Sequence, residues 1–398
     1  MELVEKLKIL GNAAKYDICA STATNKKSSI GGGMGEVLRH TICHSFTPDG
    51  RCVNLLKVLM SNECQSDCFY CPNRKDMDIP RTSFQPEELS KLFIEFYKRN
   101  YVEGLFLSSG IKFSTSQTME DMLKTCEIIR YKHKYNGYIH LKILPNASYD
   151  YVQKACQLAN RVSINVEVPT QEHMKKISKV KLLNQDILQR MKWVKELGGS
   201  KEGRHITQST QFIVGAAGEN DQTIINSMDN LYKRYKLTRS YFSTFVPLKN
   251  TPLENIPPGE THRESKLYQA DFLLRIYKFK LNEFVYQPNG NLPEDTDLKL
   301  SIALQNIHRF PLEINTASYA ELIKIPGIGP QTAQRILSLR RAGIKVSSLE
   351  QLKKMGGVIS RGQFFITING RIQSNINILM DKITLEKERK YYKQQTFF

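Results

Sequence analysis

No stretch of this 398-residue chain approaches the apolar length needed to cross a bilayer. Its first residues, MELVEKLKILGNAAKYD, form a short amphipathic pattern with both charge signs and lack the apolar core of a secretory signal. The cytoplasm is therefore the expected compartment, and eight scattered cysteines in such a chain do not read as a disulfide framework. Zinc sites pair CxxC with a second CxxC or with paired histidines, and no such partner follows the one tight cysteine cluster. The glycine run at 30–35 is too irregular for a dinucleotide or P-loop fingerprint. Acidic residues are also short: 57 Lys and Arg face 39 Asp and Glu, a net charge of +18. Residues 286–398 hold +7 of this and the first 285 hold +11, so the excess is spread over the chain. A balance of this kind points to a polyanionic partner, the competing reading being basic composition without one.

What is present begins with SNECQSDCFYCPNR, in which Cys64, Cys68 and Cys71 have CxxxCxxC spacing. Three thiols in eight residues can hold three irons of a 4Fe–4S cube and leave the fourth without a protein ligand. A structural cluster wants four thiolates, so an open iron implies another occupant. Taken alone, the three cysteines leave zinc as a competing reading. Cys19, Cys43 and Cys52 are too widely spaced for a compact ligand loop; buried free thiols are the expectation there, with an auxiliary cluster as the alternative. Cys126 and Cys156 fall in helical patterns and read as core.

Apolar strand-like runs at 53–61, 104–110, 138–145, 161–169, 208–215 and 239–247 alternate with helix-length segments such as 117–133, 148–158, 184–197 and 220–236. That alternation predicts six parallel strands joined by helical crossovers, two short of a closed eight-stranded barrel. In the fourth run Arg161, Ser163, Asn165 and Glu167 alternate with Val162, Ile164, Val166 and Val168; in the third, His140 and Lys142 alternate with Ile139, Leu141 and Ile143. One face thus packs on helices and a polar face lines a cavity.

The cysteine spacing resembles the radical S-adenosylmethionine superfamily, whose cofactors are a 4Fe–4S cluster and S-adenosylmethionine bound at the open iron. Three further segments carry the resemblance. Ser108–Ser109–Gly110 ends the second strand, where the family has a turn contacting the methionyl amino group, although here it lacks an acid. QFIVGAAGEND (211–221) matches the pattern that sets Ile213, Val214 and Gly215 along the adenine, and FVPLKNTPLE (245–254) matches the segment after the sixth strand. Tyr70 matches the aromatic placed against the adenine. Glu167, ending a lumen-facing row, is a candidate contact to the cofactor's ribose or amino group; its alternative is a charge paired with Lys142 or Arg161. The resemblance implies an α/β fold, a partial (β/α)6 TIM-like barrel over 45–285 behind an N-terminal extension at 1–44.

Residues 286–313 read as a linker. Over 314–343, Asn315 or Thr316 is the expected cap of a helix bearing Leu322, Ile323 and Ile325, which Pro326–Gly327–Ile328–Gly329 ends before a second helix with Arg335 and Arg340. This resembles the helix–hairpin–helix motif of DNA repair proteins, which implies a small all-α domain (314–370) that grips phosphate through backbone N–H groups without reading bases. A second hairpin at Met355–Gly356–Gly357 departs from the pattern. In the basic tail (371–398), Gln394–Phe398 resembles peptides that plug into replication sliding clamps. The combination resembles a family described as DNA modification or repair radical S-adenosylmethionine proteins. It implies radical chemistry on a nucleotide in DNA, fed by an electron donor. Two alternatives stand beside it: a tRNA-modifying enzyme of the same superfamily, and a DNA-binding protein with a structural or redox-sensing cluster completed by Cys52 or Cys43.

Overall fold

The computed structural model describes residues 2–17, 41–46, 51–198 and 206–384. The glycine run at 30–35, Cys19 and the Gln394–Phe398 peptide lie outside the described residues. The chain divides into two compact units, Met1–Glu264 and Ser265–Phe398. No described helix is long and apolar enough to cross a membrane.

The first unit is built on one seven-stranded sheet whose spatial order follows the chain: β1 (Ile42–Phe46), β2 (Cys52–Leu59), β3 (Gly104–Ser108), β4 (Tyr138–Lys142), β5 (Arg161–Ser163), β6 (Thr207–Val214) and β7 (Arg239–Thr244). β2 to β7 are the six parallel strands that the alternation predicts, curled into a half-barrel. β1, not foreseen, adds antiparallel to β2 at the sheet edge. Helices α1 (Leu3–Ala13), α2 (Pro86–Lys98), α3 (Thr115–Glu127), α4 (Tyr149–Leu158), α5 (Gln171–Ile177), α6 (Gln189–Leu197) and α7 (Asp221–Tyr235) accompany the strands. Their starts are locally encoded. Ser114, Thr170 and Asn220 accept from the backbone N–H groups of Gln117, His173 and Thr223 respectively, and Pro86 opens α2.

Period-2 alternation sorts the strand residues. Leu56, Leu105, Ile139, Leu141, Val162 and Phe242 are fully buried beneath the helices. On the other face, register aligns Lys57, Phe106, His140, Arg161 and Thr207 in one row across five strands. The His140 ring stacks on Phe106 with centroids 4.2 Å apart, and its Nε2 meets Ser163 Oγ at 2.9 Å. Burial, then Arg161 and Lys142, push the His140 pKa well below the usual histidine value. This row closes the lower lumen.

The fourth parallel strand is shorter than its alternation predicts. Ser163 pairs with Ser209 whereas Glu167 bridges Phe212, so one extra residue enters on the β5 side. The ladder is patched by Thr210, whose hydroxyl donates to Ile164 O and accepts from Val166 N. Such a bulge re-aims side chains. Glu167 itself adopts φ 65°, a left-handed conformation costing a non-glycine residue about 1–3 kcal/mol.

The second unit begins within α8 (Thr261–Arg275) and holds α9 (Leu298–Gln305), α10 (Tyr319–Leu322), α11 (Pro330–Arg341), α12 (Leu349–Lys354) and α13 (Ile359–Gly362). The stretch expected as a linker therefore contains a helix, because Leu300 and Ala303 of α9 join the core of Ile314, Leu322, Ile325 and Ile336. This unit also carries a small sheet of β8 (Leu312–Glu313), β9 (Ile366–Ile368) and β10 (Arg371–Ile372). The Glu313 carboxylate ties it together, accepting from the Thr367 hydroxyl and the Gly370 backbone at 2.9 and 2.8 Å. The cap of α10 is Ser318, in a reciprocal box with Glu321, and not Asn315 or Thr316. Asn315 instead exchanges hydrogen bonds with the Val346 backbone at 2.8 and 2.9 Å.

Candidate functional site

A cavity of about 270 Å3 opens at the C-terminal ends of the parallel strands, where barrel active sites lie. The loop between β2 and α2 brings Cys64, Cys68 and Cys71 to it, all three free. Backbone N–H groups already point at two sulfurs: those of Ser66 and Ile111 at Cys64, and that of Asn73 at Cys71, each at 3.4 Å. Such N–H···S contacts favour the thiolate form. Burial pushes the Cys68 and Cys71 thiols up, so iron binding must drive their deprotonation.

The loop is held by residues that the motif does not reveal. Arg81 donates to the carbonyls of Asn62, Asn73, Arg74 and Met77 at 2.5, 2.8, 2.7 and 2.9 Å. Asp67 accepts from the Ser178 hydroxyl at 2.5 Å and the Lys179 backbone at 2.7 Å, fastening the loop to the segment after α5. Lys181 follows on that segment and reaches the cavity. Burial alone would lower its ammonium pKa, but Cys68 and Glu167 beside it outweigh that and hold it above the usual lysine range. No periodicity singles out Lys181 or Arg81 in the sequence.

Of the expected cofactor contacts, Tyr70, Ser108, Ser109, Gly110, Glu167 and Ile213 line the cavity. Tyr70 lies beside Glu167, and burial followed by that carboxylate raises its pKa well above the ordinary phenol value. Glu167 thus meets Tyr70 and Lys181, whereas Lys142 pairs with Asp17 and Arg161 bonds Thr207 and Tyr241. The Ser109 hydroxyl is engaged by Ser61 and Gly110, and Ser108 lies beside Asp17. Gly110 is needed for close approach, since a Cβ there would lie 2.6 Å from Glu63 O. Val214 and Gly215 do not line the cavity. Strand alternation turns Val214 to the opposite face from Ile213, and Gly215 enters a turn whose N–H is held by Glu219.

Among the described residues no fourth cysteine reaches the cavity. Cys52 is exposed at the start of β2, a strand of eight residues whose far end leads to the cysteine loop, roughly 25 Å along a strand rising about 3.3 Å per residue. Cys43 is disulfide-bonded. Neither is the buried free thiol expected: Cys52 sits exposed at the first residue of β2, and Cys43 of the edge strand β1 is paired. Cys126 and Cys156 are buried in α3 and α4.

A family model for the radical SAM superfamily matches residues 58–231, the stretch that holds all three cysteines and four of the six parallel strands from β3 to β6 with the end of β2. The chain carries a radical SAM domain. The helix-hairpin-helix motif matches residues 311–360. Among solved structures, methylornithine synthase (PylB) is similar at 14% identity over 69% of this chain and 76% of that one, with a TM-score of 0.46. The FeFe-hydrogenase maturase HydG from Carboxydothermus hydrogenoformans is similar at 13% identity over 75% and 74%, TM-score 0.43. The radical S-adenosylmethionine methyltransferase TsrM from Kitasatospora setae is similar at 12% over 55% and 37%, TM-score 0.39. No curated protein matches the sequence. Radical SAM enzymes use a 4Fe–4S cluster with S-adenosylmethionine, and the donor set of this domain, three gathered free thiols with no fourth among the described residues, fits both.

In the second unit, Pro326–Gly327–Ile328–Gly329 joins α10 to α11, with Gly327 at φ +81° and Pro330 as the first helical residue. The paired hairpin is Met355–Gly356–Gly357, and Val358 N donates to Gly327 O at 2.9 Å, locking the two hairpins together. Ile328 is buried, and its carbonyl accepts from Lys299 at 2.5 Å. The two arginines expected on phosphate also bond within the unit. Arg335 donates to Met355 O at 2.9 Å, and Arg340 to the carbonyls of Ala317 and Thr316 at 2.5 and 3.1 Å.

Proposed function

We propose that this protein is a radical SAM enzyme acting on nucleic acid, with DNA the favoured substrate. The observation that carries the enzyme reading is the cavity in which three free cysteines converge, with no fourth among the described residues. In this reading Cys64, Cys68 and Cys71 hold three irons, and the N–H groups of Ser66, Ile111 and Asn73 stabilise their thiolates. The cluster, once reduced by an external electron donor, supplies the electron that splits S-adenosylmethionine into methionine and a 5′-deoxyadenosyl radical. The protein's own part is to position and shield. Lys181 would meet the cofactor's carboxylate, and Glu167, set inward by the bulge, would take its amino group or ribose hydroxyls. Tyr70 and Ile213 offer flat apolar surface to the adenine. The Ser109 hydroxyl is engaged within the turn, and the carbonyls of Ser108 and Gly110 already accept from Met60 N and Ser109 Oγ, which leaves the Ser109 carbonyl as the turn's acceptor.

Two observations favour nucleic acid: the +18 charge and the helix-hairpin-helix motif in the same chain. A single hairpin pair gives modest, salt-sensitive affinity without base readout. A duplex nucleotide has to be extruded to enter a barrel, which costs least for damaged or unpaired bases.

The test is anaerobic reconstitution, reduction with S-adenosylmethionine present, and measurement of 5′-deoxyadenosine with duplex DNA, single-stranded DNA or tRNA added. Stimulation by DNA over tRNA is the expected result, and Cys64→Ala should abolish it while leaving DNA affinity intact. Stimulation by tRNA alone would move the activity to RNA. A full cluster that yields no 5′-deoxyadenosine would overturn the enzyme reading in favour of a sensor.

A further inference from the structure

Two loops at the N-terminal ends of the strands take no part in the cavity. One joins α2 to β3 and reads Tyr97–Lys98–Arg99–Asn100–Tyr101; the other leads into β4 and reads Tyr131–Lys132–His133–Lys134. These nine residues hold three tyrosines, four cations and no acid, and every one of them is exposed. The loops meet at Tyr135. Its ring lies 5.0 Å from that of Phe93 and 4.9 Å from that of Tyr97, and its hydroxyl donates to Glu103 O at 2.6 Å. The second loop runs out of a single π-helical turn, Ile128–Lys132, a geometry found mostly at functional sites. Arg130 staples that turn, donating to the carbonyls of Leu158, Tyr135 and Gly137, each at 2.8 Å.

An aromatic cluster of this kind is ordinarily a satellite of the core. Phe93 and Tyr135 fill that role, at 0% and 4% exposure. Tyr97, Tyr101 and Tyr131 do not, at 43%, 42% and 70%. Tyr97 is held against Tyr135 and Tyr101 against Phe96, with ring planes at 77° and 86°, so both rings are fixed while much of each stays open to solvent. Little neutralises the cations: Glu95 meets Lys98 at 3.6 Å in a solvent-exposed pair, which is worth little, and Glu103 accepts from the Asn54 backbone.

Open rings interleaved with cations match a single-stranded nucleic acid. Every base has a π-face to lay on a tyrosine, and the phosphates between bases meet lysine and arginine. A duplex hides its base faces, and an acidic polypeptide lacks a planar group at each step to cover the rings. The surface is remote from the chemistry: β3 has five residues, about 15 Å at about 3.3 Å per residue, and the cavity opens at its other end.

We propose that these two loops form a single-strand-binding surface that stacks bases on Tyr97, Tyr101 and Tyr131 and holds the backbone with the adjoining cations. This rests on the nucleic-acid reading above for its polyanion, and adds to it a contact that supplies affinity and no chemistry.

The test titrates a labelled oligothymidylate of about 30 nucleotides with the reconstituted full-length protein, read by fluorescence anisotropy, against polyglutamate of matched charge. The oligonucleotide should bind at least about tenfold tighter than polyglutamate, and Tyr131→Ala should weaken it at least about fivefold while Tyr131→Phe keeps it. Replacing Lys98, Arg99, Lys132 and Lys134 together by Gln should make the slope of log affinity against log salt shallower by about 2–3. In the wild type, photocrosslinks from 5-iodouracil should map to Tyr97, Tyr101 or Tyr131. Unchanged binding in Tyr131→Ala, or crosslinks confined to the second unit, overturns the surface and leaves the nucleic-acid reading standing. Polyglutamate binding as tightly as the oligonucleotide overturns it in favour of an acidic polypeptide. No binding of any nucleic acid overturns both. The crosslinks need no variant, so a misfolded substitution does not blunt the test.

Discussion

Asp67, inside the cysteine loop, accepts a hydrogen bond at 2.5 Å from the hydroxyl of Ser178, 111 residues further along the chain. Both residues are buried, at 7% and 2% exposure. The carboxylate also takes the Lys179 N–H, so one side chain sets the distance between Cys68 and the segment bearing Lys181.

Asp67→Ala should therefore leave the buried Ser178 hydroxyl and the Lys179 N–H without their carboxylate partner. Hydrogen bonds to a charged group contribute about 1.5–3 kcal/mol each, so a melting temperature lowered by several degrees is expected. S-adenosylmethionine affinity should fall as well, because Lys181 loses its support. Thermal melting and calorimetric titration of the reconstituted protein check the two effects separately.

Arg81 gathers four carbonyls of the same loop. Arg81→Ala should lower iron and sulfide content after reconstitution and broaden the reduced-cluster electron paramagnetic resonance signal. Arg81→Lys should rescue only part, because an ammonium has three donors and no planar fork. Iron content equal to wild type in Arg81→Ala would show that the cysteine loop holds itself.

Two glycines in the second unit make a matched pair. Gly327 has φ +81°, and a Cβ there would meet Val358 O at 2.4 Å; Gly343 has φ +74° with nothing within 4 Å. Gly343→Ala should cost only the left-handed penalty of about 1–2 kcal/mol. Gly327→Ala carries the same penalty plus a backbone clash between the two hairpins. Its denaturant midpoint should therefore fall clearly further, and its DNA affinity with it.

Lys299 gives the second unit a pH signature. Burial, only partly offset by Asp297, lowers its pKa to about 7, against an unfolded lysine near 10.4. Between those values the unfolded chain binds the proton and the folded chain does not. Stability should therefore rise with pH from about 7 towards 10 and carry no Lys299 contribution to the slope below 7. Lys299→Met should remove that part of the slope, measured as the difference between wild-type and variant urea unfolding across pH 6–10.

The CxxxCxxC loop, the six parallel strands and the Pro326–Gly329 hairpin were legible because each is a local pattern. Thiols of one cluster sit within one turn of loop, strand faces repeat every second residue, and a glycine-rich break between helices needs no distant partner. The same local reading left open what depends on pairing. Glu167 was expected to face the cofactor or to pair with Lys142 or Arg161; the folded sheet sets it in the cavity beside Tyr70 and Lys181, while Lys142 pairs with Asp17 and Arg161 bonds Thr207 and Tyr241. Arg335 and Arg340 look like phosphate ligands on a helix wheel, and the folded unit adds that each also donates to a carbonyl of its own unit.

The sequence by itself determined the donor set, the α/β class and the hairpin, since spacing and period act over a few residues. Only the tertiary structure decided that Asp17 meets Lys142, that Arg81 and Asp67 brace the cysteine loop, and that a bulge turns Glu167 inward. Those contacts arise where strand ends from separate parts of the chain converge on one cavity. Convergence of that kind is set by sheet register and burial, which a single sequence carries only through the fold as a whole.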